Sequence, residues 1–143
     1  AGAVSGGCGP AKPVEARQYQ FDCQIIKRDD AGGKKVMAEP RLVTQAGRPA
    51  SFLIGGEVVA PAADKKVQFI ETGLRMEMRV LEEKGGKLRL DVTAQDIRPE
   101  TGAGGSVRTR TRSARAIEVL EPKESLKLKV GPYTFKVQAQ PIN

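Results

Sequence analysis

The segments Leu74-Arg75-Met76-Glu77-Met78-Arg79-Val80 and Leu88-Arg89-Leu90-Asp91-Val92-Thr93-Ala94 decide the fold class of this chain, with Lys84-Gly85-Gly86-Lys87 between them. In both, apolar side chains fall on every second position, the repeat of a half-buried strand. Glycine tolerates the positive φ that a tight connection needs, so the two segments predict a hairpin. Arg75, Glu77 and Arg79 then share the solvent face with Lys87, Arg89 and Asp91. Opposite charges across such a hairpin stabilise it by about a few tenths of a kcal/mol each.

The same repeat extends outward in both directions. Upstream, Phe21, Cys23 and Ile25 alternate with Asp22 and Gln24, and a turn follows at Arg28-Asp29-Asp30-Ala31-Gly32-Gly33. Val36 to Thr44 reads as one further strand, Ala46-Gly47-Arg48-Pro49 as a turn, and Ala50 to Val59 as a strand with Gly55-Gly56 inside it. Glycine within a strand marks a bulge or a close backbone approach. Downstream, Pro99 to Gly105 reads as a loop and Ser106 to Leu120 as extended, and Glu121-Pro122-Lys123-Glu124 turns the chain. Leu126, Leu128 and Val130 alternate again, and Phe135, Val137 and Ala139 close the series after Gly131-Pro132. No segment sustains an i, i+3, i+4, i+7 pattern. The prediction is a mostly β single domain of hairpin-linked, largely antiparallel strands, a sandwich or a curved open sheet, with little helix. Residues 1–17, rich in Gly, Pro and Ala, are expected to be a flexible lead-in to a domain spanning 18–143.

Composition narrows the function. At 143 residues, 39% hydrophobic and 4% aromatic without Trp, the chain predicts a modest, aliphatic core. The absence of His removes the commonest general base and the Ser-His and Cys-His nucleophile pairs. Two Cys cannot form a Cys₄ site. Met37, Met76 and Met78 read as core fillers rather than ligands. Asp29-Asp30 and Glu82-Glu83 fall at turn edges beside Lys or Gly, which predicts solvated pairs rather than carboxylates converging in a cleft. The Gly55-Gly56 and Gly104-Gly105 pairs lack the Lys and Ser/Thr of a phosphate-binding loop. The inventory predicts no catalytic residue, cofactor or metal, and hence no enzyme.

Lys and Arg number 24 against 17 Asp and Glu, a net charge of +7. The excess concentrates late, with ten basic against eight acidic residues in 1–72 and fourteen against nine in 73–143. Arg108, Arg110, Arg112 and Arg115 form one run with no acid between them. On a strand the first three project to one side about 7 Å apart, from a rise of ~3.3 Å per residue. Such a row suits a partner surface or, as the alternative, nucleic acid bound through the Arg108–Arg115 strand. No aromatic is interleaved to stack bases, which favours the partner surface. Gly55, Gly56 and Gly73 are expected to shape the backbone around it.

The first residue is Ala, and Ala1 to Pro10 is small and Gly-rich, as near the cleavage site of a signal peptide. Three readings of the cysteines stay open. Cys23 is a core hydrophobe and Cys8 lies in a tail; or the two form a disulfide, with a gain of ~3 kcal/mol in an oxidising compartment; or Cys8 carries a lipid anchor, although Leu is missing three positions before it.

The order of segments resembles the shared domain of secretins, the outer-membrane ring proteins of type II and type III secretion and type IV pilus systems. The resemblance starts at Phe21-Asp22-Cys23-Gln24-Ile25-Ile26, similar to the opening strand of that domain. Val36 to Thr44 (VMAEPRLVT) and Gly47 to Glu57 (GRPASFLIGGE) resemble the next two, the latter being the strand that leads toward the gate. Phe69 to Met76 and Leu88 to Val92 resemble the following pair, and Arg108 to Ala116 falls at an Arg-containing strand before the last hairpin. The likeness covers roughly residues 19–139. A long gate insertion is missing, since only Val58 to Val67 joins the two strands that flank it in secretins, and Lys129-Val130-Gly131-Pro132 replaces the terminal Gly-Gly-Leu. Arg75, Arg79, Lys87, Arg89, Lys127 and Lys129 are too charged for a lipid-facing wall, where a charge near mid-bilayer costs ~2–4 kcal/mol. The resemblance implies a non-enzymatic module of the bacterial cell envelope, periplasmic or associated with the outer membrane and linked to protein secretion or pili. It would meet an envelope protein or further copies of itself by strand pairing, with Arg108, Arg110, Arg112 and Arg115 as polar contacts.

Overall fold

The computed structural model describes residues 17–61 and 67–142; the expected lead-in and Cys8 lie outside them. Nine strands follow in order: β1 (Gln18–Arg28), β2 (Lys34–Ala38), β3 (Arg41–Gln45), β4 (Ala50–Pro61), β5 (Val67–Glu82), β6 (Leu88–Thr101), β7 (Val107–Leu120), β8 (Ser125–Val130) and β9 (Tyr133–Ile142). All pairings among them are antiparallel. They divide into two sheets. One carries β2 and β3 in tandem on β1, then β9 and β8; the other is the meander β4-β5-β6-β7. Neither sheet closes on itself, so the sandwich alternative is the one realised.

The period-2 pattern explains the packing. Tyr19, Phe21, Cys23 and Ile25 of β1 point inward with Phe135, Val137 and Ala139 of β9 and Leu126, Leu128 and Val130 of β8. From the meander, Leu74, Met76, Met78 and Val80 of β5 face them with Leu88, Leu90, Val92 and Ala94 of β6. These residues form one buried cluster. Tyr19, Phe21 and Phe135 are its largest fully buried side chains, all from one sheet, while the meander supplies aliphatics and methionine with Phe52 packed, half-buried, against them. The Tyr19 hydroxyl donates to Glu82 Oε1 at 2.5 Å and links the two sheets by a polar contact. Burial pushes the Cys23 thiol up to about 12, which keeps it protonated, with Sγ 3.7 Å from Met78 Sδ.

Three local expectations are corrected. Val36 to Thr44 is two strands rather than one, because Glu39-Pro40 interrupts it and Pro has no N–H for a ladder; the Pro40 carbonyl instead accepts the Cys23 N–H at 2.9 Å. The register of β2 slips between Ile25 and Ile26, pairing them with Ala38 and Val36. Met37 is the extra residue of that bulge and stands 46% exposed, so it fills no core space. Pro99 to Thr101 continue β6, and the expected loop shrinks to a turn at Ala103–Gly105 in which Gly104 and Gly105 take positive φ.

Phe135 is fully buried. Phe135→Ala is expected to lower unfolding free energy by about 3–5 kcal/mol. Thr109→Ala, on the exposed end of β7, is expected to stay within about 0.5 kcal/mol of the parent. Urea denaturation of both variants checks this.

Candidate interaction surface

The meander is longer than the sheet that covers it. Along the inner face of β6 the apolar row ends at Asp96, which is 3% exposed, and the next inward positions, Arg98 and Glu100, lie beyond the core. Asp96 Oδ2 accepts from Arg98 Nε at 2.9 Å, which compensates the buried carboxylate. The β6–β7 register places Arg112 opposite Asp96, Arg110 opposite Arg98 and Arg108 opposite Glu100. Arg108, Arg110 and Arg112 therefore stand together on the overhanging inner face. Arg108 meets Glu100 at 3.7 Å, while Arg110 and Arg112 have no carboxylate within ion-pair distance among the described residues.

Arg115 is elsewhere. Three positions from Arg112, it falls on the opposite face of β7, across from Thr93. Its guanidinium grips Asp91 with two hydrogen bonds, Nε to Oδ1 at 2.9 Å and Nη2 to Oδ2 at 2.7 Å. This bidentate contact, aided by the charge of Arg79, holds the Asp91 carboxyl below its ordinary range. The structure thus brings three of the four arginines together and gives the fourth an ion pair of its own. The run is not one continuous cationic face.

At this same end of the meander the β4–β5 hairpin overhangs as well. Its register is unbroken from Ala50–Met78 to Pro61–Val67, and it pairs Gly55 directly with Gly73. A Cβ on Gly55 would lie 1.9 Å from the Thr72 carbonyl oxygen and 2.7 Å from the Gly73 Cα; one on Gly73 would lie 2.3 Å from the Ile54 carbonyl oxygen. Gly73 also has φ +135°. The two strands touch backbone to backbone here, a close approach rather than a bulge. Gly56 has open space around it, and its side carries no such demand. Past this point Ile70 remains buried while Val59, Val67 and Phe69 are exposed. Ile54, Leu74, Asp96 and Tyr133 line a cleft of about 330 Å³ under the overhang, with the Arg98 guanidinium carbon 6.0 Å from the Tyr133 ring centroid. The overhang's features follow from strand parity and length: the β7 arginines and the glycines were visible in the sequence as residues but not as one edge of a sandwich, and Asp96, Arg98 and Tyr133 were not visible as part of it.

No family model matches the chain, and no curated protein matches it. Its architecture is that of secretin domains. The InvG secretin domain β-barrel from the Salmonella SPI-1 injectisome superposes with a TM-score of 0.61 at 11% identity, over 90% of this chain and 64% of that one. The V. cholerae type IV competence pilus secretin PilQ gives 0.62 at 11% identity, over 90% and 62%. The type II secretion system secretin GspD of E. coli K12 gives 0.57 at 11% identity, over 87% and 48%. The chain thus spans less than two thirds of each of these secretin chains.

Two outcomes are expected from this geometry. Gly55→Ala and Gly73→Ala each lose more than about 1 kcal/mol of stability, whereas Gly56→Ala is neutral or stabilising, as thermal and urea unfolding will report. Asp91, whose pKa is depressed in the fold, contributes stability that is present above the ordinary carboxylate pKa and lost as pH falls through its folded value. Arg115→Gln therefore moves the Asp91 titration upward, toward that ordinary range, in carboxyl-detected NMR.

Proposed function

We propose that this chain is a secretin-type module of the bacterial cell envelope that works by protein–protein contact, without chemistry of its own, and that its first partner is a second copy of itself. The observation that carries this reading is the pair of open edges on the meander. β4 and β7 each have a strand on one side only among the described residues. In a four-stranded antiparallel meander the two outer strands run in opposite directions. The β7 edge of one copy therefore meets the β4 edge of the next as a further antiparallel pair, and the sheet continues from copy to copy.

That contact is heterologous, so repetition closes a ring or grows a filament. Backbone hydrogen bonds along the edges supply the adhesion, and Arg110 and Arg112, without an ion partner among the described residues, supply polar contacts to acidic groups of the neighbour or of another envelope protein. The folds it shares are those of secretion and pilus secretins, which supports an assembling rather than a catalytic role. One such neighbour is described as a pilotin–secretin complex, and an accessory envelope protein is the second class of partner this reading accommodates. Only five residues lie between Pro61 and Val67, too few for the gate insertion of a secretion channel, so the module is read as an assembling wall without a gate.

Cross-linking in native envelope fractions is expected to recover ladders of this chain. Thr111→Pro, which removes a donor from the free half of β7, is expected to collapse the ladder to single copies, and Arg110→Glu with Arg112→Glu to deplete it about tenfold with the fold retained by circular dichroism. Recovery of single copies alone from the parent, with no envelope protein attached, overturns the reading.

A further inference from the structure

The strongest concentration of unpaired charge lies away from the arginine row, on the outer face of the five-stranded sheet. Lys127 of β8 stands directly opposite Lys136 of β9, and Arg28 of β1 directly opposite Lys34 of β2. Lys27 and Lys35 pair at the adjacent register position, which alternation turns to the sheet's other face, where Lys27 Nζ lies 5.9 Å from the Tyr133 ring centroid. Like charges directly opposite in a sheet destabilise it. None of these six cations, nor Lys129, has a carboxylate within ion-pair distance among the described residues. Among the acids of these strands, Asp29 Oδ1 accepts the Gly33 N–H, Glu39 Oε1 accepts from Gln24, and Asp22 holds Arg41.

The meander's outer face differs. There Asp91 lies between Arg79 and Arg115, and Glu83 meets Arg89 at 2.6 Å. Two ion pairs thus sit on the meander's outer face, whereas Lys127–Lys136 and Arg28–Lys34 stand opposite each other without one among the described residues.

These cations do not spread over a flat surface. Arg28, Lys34, Lys127, Lys129 and Lys136 line one cleft of about 190 Å³ together with the Thr134 hydroxyl. Its floor is the β8–β9–β1 ladder, and the β8–β9 turn at Gly131-Pro132 walls one side. Four strands send charge into it. Compact ammonium groups on flexible stems act as point charges that can surround a tetrahedral anion from several directions, and the guanidinium fork of Arg28 matches a phosphoryl group bidentately. Four of the five charges are lysines. No aromatic ring lines the cleft to stack a nucleobase.

We propose that this cleft binds a compact ligand bearing two or more phosphoryl groups, either a free phosphorylated solute or the phosphorylated headgroup of an envelope lipid. Lys127 and Lys136 hold one phosphoryl group across the β8–β9 ladder, Arg28 and Lys34 a second across β1–β2, and Thr134 donates between them. Occupancy replaces the cross-strand repulsion with charge-assisted hydrogen bonds. The site stands independently of copy-to-copy assembly.

The test titrates the full chain with sodium pyrophosphate at 150 mM salt by isothermal calorimetry, with sodium sulfate as the comparison anion. Saturable binding, tighter than for sulfate and weakened at least tenfold by Lys136→Gln and by Lys127→Gln, is the expected result. Both variants should melt at the parent temperature or higher, since each removes a like-charge pair, and Arg110→Gln should leave binding unchanged. Vesicles of phosphatidylcholine with 30% phosphatidylglycerol-phosphate then separate the sources. Co-sedimentation that depends on Lys136 identifies a lipid headgroup, and its absence alongside pyrophosphate binding identifies a soluble ligand. No saturable binding, or binding lost equally in Arg110→Gln, overturns the proposal.

Discussion

Everything in this molecule depends on the interlock between two inner faces, each supplied by every second residue of its strands. Met76, Met78, Leu90 and Val92 from one sheet and Phe21, Ile25, Phe135 and Val137 from the other share one buried cluster. Apolar burial contributes about 25 cal/mol per Å², so this interlock is the main favourable term in folding. It also fixes what is left over. The covering sheet has shorter strands, and the meander runs on past it with its inner face turning polar at Asp96. The overhang, its arginines and its bare edges are consequences of that mismatch in length.

Much of the architecture was legible from alternation alone. The β5–β6 hairpin, the strands β8 and β9, and the β content as a whole follow from residues that repeat every second position between glycine-bearing turns. What alternation could not supply was partnership over distance. β1 pairs with β9, a contact between the two ends of the domain, and it was not legible because a hairpin rule joins only neighbours. Pro40 was visible in the sequence, yet its effect on the expected Val36–Thr44 strand depended on β1 being the partner on which the two pieces lie.

The candidate site was legible in its residues and less so in its grouping. Arg108, Arg110 and Arg112 share a parity and hence a face; Arg115 has the other parity, which the clustering of basic residues along the chain obscured. Gly55 and Gly73 were each marked as backbone positions, but their mutual contact became visible only through the β4–β5 register. Asp96, the one charged residue buried among the described residues, gave no signal in the sequence, because nothing in its neighbours shows where the covering sheet stops. The lysine cleft escaped for the same reason: Lys127 and Lys136 are close only once β8 and β9 are paired, and Arg28 and Lys34 only once β2 folds back on β1.

Amide hydrogen exchange, followed residue by residue across a dilution series, tests the central claim most directly. With the interlock and the open edges as described, the amides of β1, β9, β5 and β6 exchange slowly at every concentration. Outward-pointing amides of β4 and of Val107–Ser113 exchange fast in dilute protein and become protected as concentration rises. Uniformly slow exchange on both edges in the dilute monomer, or fast exchange through β5 and β6, contradicts the account.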